Sequence, residues 1–263
     1  MLARRFARPL ALYVTWLIVR LPMSANVVTA ATLVAGLIAA ALLGVGSTTS
    51  FVAGAIVLQL WYVLDHVDGQ VARFRRSESV TGVYFDFMMH HIVHPAVAFA
   101  IGFGIAAQTG ELSWTLAGAA FAIGLATLSL SNDCRYKAFF AESKRGEWRR
   151  AEGAGPNAGK ACEQSRRRFA VRLMQKSCEI PNIVIAVTLV AMSMLWNAAA
   201  GGLVIQIYLA IMAMIAPLLG LARLARQVWQ KSIDVEFREF FDTSGTTEPR
   251  SQQFDEPPTK QAA

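Results

Sequence analysis

Asp65-His66-Val67-Asp68-Gly69-Gln70-Val71-Ala72-Arg73, followed at a distance by Gly82, Asp86 and His90, is the stretch that decides how this chain is read. It sets three carboxylates and an imidazole into a sequence that otherwise reads as membrane-buried. An acidic residue at the centre of a membrane helix costs about 2.5–3.5 kcal/mol on insertion scales. Three of them close together are therefore a functional signal rather than a packing accident. Asp65 and Asp68 stand three apart and Asp86 and His90 four apart, so each pair projects from neighbouring turns of one helix face. Two helices meeting on those faces would bring the four side chains together as a site for a hard divalent cation.

The surrounding composition sets the fold class. Of 263 residues, 54% are hydrophobic, and the mean hydropathy is +0.40. The apolar residues fall in blocks: no Asp, Glu, Lys or Arg occurs in 21–64, 87–110, 112–132 or 180–222. A crossing needs about 20 apolar residues for ~30 Å of hydrocarbon. The first and last blocks are long enough for two crossings each, divided at Gly44–Ser50 and Asn197–Gly202, where Gly, Ser and Asn suit short turns. The expectation is an all-α polytopic membrane protein with six transmembrane helices, near 26–45, 51–73, 82–107, 113–135, 180–196 and 202–225.

Charge distribution leads to the same count. All 25 Lys and Arg lie in the N-terminal segment, the linker after the second helix, the region 135–176, or the tail from Arg223 onward. In a six-helix chain all four segments share one side, and the opposite loops carry only Glu111. The positive-inside rule makes the charged side cytoplasmic, with both termini there. The expected location is the cytoplasmic (inner) membrane of a bacterium. Topology and attraction to anionic headgroups account for the net charge of +7. No soluble basic domain exists to hold a nucleic acid, so no nucleic-acid partner is expected.

Residues 1–21 combine Arg4, Arg5 and Arg8 with an apolar run from Leu10 to Val19. Arg20 ends that run too early for a crossing, and no clean cleavage site follows, so a cytoplasmic interfacial helix is expected rather than a signal peptide. Residues 22–228 form the expected transmembrane domain, with a cytoplasmic loop at about 136–179. Within that loop Arg166–Arg168, Phe169, Leu173 and Met174 read as a second interfacial helix. The tail 229–263 ends in a polar stretch with Pro257 and Pro258 that reads as partly disordered. Cys134, Cys162 and Cys178 all fall on the reducing side, match no zinc spacing, and read as free thiols.

With this topology Asp65 and Asp68 lie near the cytoplasmic end of the second helix, and Asp86 and His90 one to two turns into the third. All four share one depth in a cavity open to the cytoplasm. Gly69 and Ala72 lack bulk, which permits close approach of a flat ring or another helix, and Arg73 offers a forked donor set for phosphate. Carboxylates together with phosphate oxygens suit Mg²⁺ or Mn²⁺. A diphosphate bridging metals between the helices is the natural occupant.

The stretch resembles the signature of the CDP-alcohol phosphotransferase (CDP-alcohol phosphatidyltransferase) family, D-x2-D-G-x2-A-R-x8-G-x3-D-x3-D. Asp65, Asp68, Gly69, Ala72, Arg73, Gly82 and Asp86 fill seven of the eight fixed positions at the correct spacing, and His90 stands at the eighth. Pro22, Asn26 and Thr29 are similar to a Pro-Asn…Thr element often found before the family's first span, with three residues intervening here. The likeness extends over about residues 20–225. It implies transfer of a substituted phosphate, such as a phosphatidyl group, from a CDP-linked donor such as CDP-diacylglycerol to a hydroxyl acceptor, with release of CMP, in phospholipid biosynthesis.

By the same resemblance Asp65, Asp68 and Asp86 would hold two divalent ions that clamp the diphosphate. Gly69, Ala72 and Arg73 would line the cytidine-phosphate pocket, and Gly82 would allow a close helix approach. Arg135 and Lys137, where the fourth helix emerges, match the place where basic residues bind a phosphorylated acceptor, or serve as ordinary positive-inside anchors. Members of the family often pair, which extends the expectation to a homodimer, although no interface is legible.

The departure is His90, where the family has an aspartate thought to deprotonate the attacking hydroxyl. A neutral imidazole is a suitable general base; it also serves as a nitrogen ligand, and a degenerate site is the third reading. His91 and His94 read as packing residues, with His94 on the face of Asp86 and His90. Two other functions fit the composition: a non-catalytic nucleotide- or partner-binding relative, and an intramembrane prenyltransferase. The second places its two Asp-rich motifs far apart, whereas all three carboxylates here fall within 22 residues. The acceptor is not legible.

Overall fold

The computed structural model describes residues 2–144, 149–150, 174–229, 233–234, 237 and 241–242, with side chains at 9–144, 174–229, 233–234 and 237. Seven long helices account for most of them: α1 (Leu2–Val19), α2 (Ala25–Gly44), α3 (Thr48–Phe74), α4 (Val80–Thr109), α5 (Ser113–Ser143), α6 (Ile180–Trp196) and α7 (Ala198–Trp229). A two-residue antiparallel pairing of β1 (Arg149–Arg150) with β2 (Phe241–Asp242) is the one sheet among the described residues.

Their boundaries follow from local chemistry. Ser24 Oγ accepts from the Val27 amide, Ser47 and Ser50 form a reciprocal cap at the start of α3, and Ser79 Oγ accepts from the Gly82 amide at 3.0 Å. Each cap satisfies amides that a helix start leaves open. α4 ends on Gly110 in the left-handed conformation (φ 78°). α3 ends similarly, but with an arginine in that place. Arg76 has φ 50°, and the Ser77 amide donates back to the Ala72 carbonyl at 3.0 Å.

Five helices, α2, α3, α4, α5 and α7, are long and apolar enough to cross a membrane. The chain is thus an all-α, multi-pass membrane protein. The segment expected as the fifth crossing forms the apolar helix α6, but its 17 residues span about 25 Å at 1.5 Å each, less than the hydrocarbon core. The expected break at 197–202 narrows to Asn197, whose Oδ1 accepts from the amides of Ala199 and Ala200 at 3.1 Å and caps α7 at once. The loop expected at about 136–179 begins later than that, because α5 runs to Ser143. Lys and Arg are good helix formers once the helix is clear of lipid. The expected interfacial helix at 166–174 falls outside the described residues except for Met174, as does nearly all of the tail and Cys162. Cys134 is exposed and Cys178 half-buried, both free thiols, and burial pushes the Cys178 thiol up.

Packing closes six helices into a ring in the order α2, α3, α6, α7, α5, α4 and back to α2. Trp61, Met89, Val93, Ile101, Phe121, Val187 and Leu209 fill its interior. Small residues let the backbones approach. A Cβ added to Gly118 of α5 would lie 2.8 Å from the Phe99 carbonyl oxygen and 2.9 Å from Gly102 Cα on α4. α1 packs on α3 outside the ring, with Ala11 buried among Val63, Val67 and Val71. Its other side leaves Tyr13, Trp16 and Leu17 exposed, and the Arg20 guanidinium lies 3.3 Å over the Trp16 ring. Arg75 secures the turn after α1 by donating to the carbonyls of Val19 and Leu21.

Candidate active site

The ends of α3 and α4 joined by the 75–79 turn carry the charged residues, and the turn at Arg76 directs both helices to one cavity. Asp65, Asp86 and His90 each present a ligand atom, all within 4.8 Å of one another, and all three residues are half-buried. His90 Nε2 lies 3.2 Å from Asp65 Oδ1. That carboxylate oxygen is buried, yet no hydrogen-bond donor is aligned on it. An orphaned buried anion costs stability unless a cation reaches it, so the donor set fits a divalent ion. The two carboxylate oxygens suit Mg²⁺ or Mn²⁺.

Asp68 stands apart from this trio. It is buried, its Oδ2 accepts from Thr29 Oγ1 at 2.9 Å, and its Oδ1 accepts from the Gly69 amide at 2.6 Å. Thr29 belongs to the element noted before the first span, but its role as a hydrogen-bond donor to Asp68 was not legible. α2 and α3 pack side by side, and a threonine facing this buried aspartate is the polar partner that burial demands.

The cavity has two lobes sharing Asp68, Gly69, Arg73 and Asp86. The first, of about 570 Å³, is lined further by Asn26, Thr29, Ala72, Ser77, Glu78, Ser79 and Gly82. The second, of about 590 Å³, adds Leu12, Asp65, His66, Gln70 and His90. The structure thus brings Gly69, Ala72, Arg73 and Gly82 to one lobe. A Cβ on Gly82 would meet Ser79 Oγ at 3.2 Å and Asn26 Oδ1 at 3.4 Å, so α2 comes close to Gly82 through a side chain rather than through its backbone. A Cβ on Gly69 would meet only the Arg73 guanidinium, at 3.5 Å. The missing side chain of Gly69 leaves room in the cavity beside Arg73.

Residues outside the motif also shape this region. Gln70 is held by Thr15 of α1, whose Oγ1 donates to its Oε1 at 2.8 Å. His66 Nδ1 lies 2.9 Å from the Tyr62 carbonyl, with the ring edge-on to Tyr62. His91 turns to α5, where its Nε2 lies 2.9 Å from Asp133 Oδ2, while its Nδ1 lies 2.7 Å from the Phe87 carbonyl of its own helix. His94 packs edge-on against Trp61 and 5.0 Å from the His90 ring. Arg135 and Lys137 line neither lobe; the Arg135 guanidinium lies 5.0 Å over the Tyr136 ring, and Lys137 is exposed. Asn132 accepts from Arg223, and Ser131 donates to Gln227 at 2.6 Å, joining α5 to α7.

Residues 22–146, just under half of the chain, match the family model described as CDP-alcohol phosphatidyltransferase. Among solved structures, the chain resembles phosphatidylinositol phosphate synthase of Mycobacterium tuberculosis, crystallised with CDP-DAG bound. The TM-score is 0.54 at 18% identity, covering 84% of this chain and 92% of that one. At that identity the likeness speaks for the fold. No curated protein matches the chain. The matched segment spans α2 to α5 and holds every motif residue lining the cavity.

Proposed function

We infer that this membrane protein, with its CDP-alcohol phosphatidyltransferase segment at 22–146, transfers a substituted phosphate from a CDP-linked donor to an alcohol and releases CMP. The observation that carries the reading is the convergence of Asp65, Asp86 and His90 on a cavity also lined by Asp68 and Arg73. CDP-diacylglycerol is the donor we propose, the transferred group then being phosphatidyl. In the reaction the acceptor hydroxyl oxygen forms a bond to the distal phosphorus of the diphosphate. The bond from that phosphorus to the bridging oxygen breaks, and CMP leaves with the oxygen.

Each residue has a part in this scheme. Asp65, Asp68 and Asp86 would hold two divalent ions, which would supply charge neutralisation on the diphosphate and its leaving oxygen. Thr29 fixes the Asp68 carboxylate. Arg73 donates to phosphate from beside Gly69, where the absent side chain leaves room. His90 takes the proton of the attacking hydroxyl. Its place 3.2 Å from Asp65 equally favours service as a nitrogen ligand, and the two roles separate by experiment below. We place six crossings in the membrane, α6 included, with α1 at the interface and both termini cytoplasmic.

The test is a CMP-release assay on the purified chain with CDP-diacylglycerol and a panel of alcohols. Release that depends on Mg²⁺ or Mn²⁺ and stops with EDTA is expected. Donor binding without release for any alcohol would instead favour a non-catalytic nucleotide-binding role.

A further inference from the structure

If transfer occurs as above, the two lobes of the cavity have different occupants. The attacking hydroxyl must meet His90 and the diphosphate together, and His90 lines the second lobe alone. That lobe receives the acceptor, and the first receives the nucleotide. Apart from the shared wall, the acceptor lobe is lined by Leu12, Asp65, His66, Gln70 and His90. Thr15 engages the Gln70 carbonyl oxygen, which leaves the amide N–H groups as the free end. The Tyr62 carbonyl engages His66 Nδ1 and can only accept, so Nδ1–H donates and Nε2 is the acceptor. Gln70 and His66 are four apart on α3, hence on one face. One offers a donor and the other an acceptor, the complement of a hydroxyl group. Among the described residues the only cationic side chain of this lobe is Arg73, which the nucleotide lobe shares.

We propose that the acceptor is an uncharged, hydroxyl-rich alcohol rather than a phosphomonoester, and that Gln70 and His66 recognise it. Both occupy variable positions of the motif, so they distinguish this chain rather than its family. A phosphomonoester would bring two negative charges to a lobe whose one described cationic side chain, Arg73, also serves the donor diphosphate, whereas a neutral alcohol loses only water and gains the two hydrogen bonds.

The experiment uses the full chain in detergent with CDP-diacylglycerol and Mg²⁺, and two matched pairs of acceptors: glycerol against glycerol 3-phosphate, and inositol against inositol phosphate. CMP release should favour a neutral member by at least about tenfold in kcat/KM. Gln70→Met and His66→Phe should each raise the KM of that alcohol about tenfold and leave the KM of CDP-diacylglycerol within about twofold. The alcohol should also raise the thermal midpoint of the wild type more than that of either variant, each of which must itself melt cooperatively. Preference for the phosphorylated members, with CMP still released, overturns this proposal and leaves the transfer reading standing. Unchanged acceptor KM in both variants overturns the recognition pair. Absence of CMP with every acceptor overturns the transfer reading and this one with it.

Discussion

At the scale of single residues, the aspartates separate by what surrounds them. Asp65 and Asp86 converge with His90, whereas Asp68 is buried and already accepts two hydrogen bonds. Asp65→Asn, Asp68→Asn and Asp86→Asn should each abolish CMP release while the protein still inserts and purifies. Full activity in any one removes that residue from the metal set. Thr29→Val keeps the shape but removes the donor to Asp68 and should lower turnover less than Asp68→Asn does, read in the same assay. His90→Ala separates base from ligand. Loss of a general base costs about 10²–10⁴-fold in turnover and leaves Mn²⁺ affinity, measured by electron paramagnetic resonance, near wild type. Loss of a ligand weakens Mn²⁺ binding itself.

At the scale of elements, helix ends and crossings carry the predictions. Arg76 holds a left-handed conformation that costs an ordinary residue about 1–2 kcal/mol. Arg76→Gly should therefore raise the thermal midpoint in detergent, and a lowered midpoint would mean that the arginine side chain contributes more than its backbone costs. Gly118→Leu should do the reverse. Its side chain would enter the space held by Phe99 and Gly102, with a loss of about 1–3 kcal/mol or more. The apolar blocks made α2 to α7 legible, because twenty uncharged residues have few other uses. Their limits were harder to place. Asn197 caps α7 immediately, which the Gly-rich stretch after it obscured, and α5 continues eight residues past the expected 135 because nothing there breaks a helix. In the site, the i, i+3 and i, i+4 spacings were enough to place Asp65, Asp68, Asp86 and His90 at one cavity. They could not reveal Thr29 or Thr15, whose roles depend on α2 and α1 packing against α3. Nor could sequence show that Gly82 faces the Asn26 side chain of α2 at the cavity wall, since a glycine beside a ligand and one beside a helix read alike.

At the scale of the whole molecule, the number of crossings decides which side the C-terminus occupies. With α6 in the membrane there are six crossings and both ends share a side; with five they lie on opposite sides. A reporter that fluoresces only in the cytoplasm should be active when fused at either terminus, and silence at the C-terminal fusion alone would make α6 a non-spanning helix. The ring of six helices places the cavity at one end, where the α3–α4 turn opens it beside α1. The central claim is that this cavity exchanges a CMP group for an alcohol, and product stoichiometry tests it most directly. Purified protein, CDP-diacylglycerol, Mg²⁺ and the alcohol panel are incubated, and CMP and the new phosphodiester lipid are quantified together by mass spectrometry. The account predicts one CMP for each phosphodiester lipid formed by the wild type, and neither product from Asp86→Asn. Bound donor that never yields CMP, or CMP formed equally well by Asp86→Asn, would contradict it.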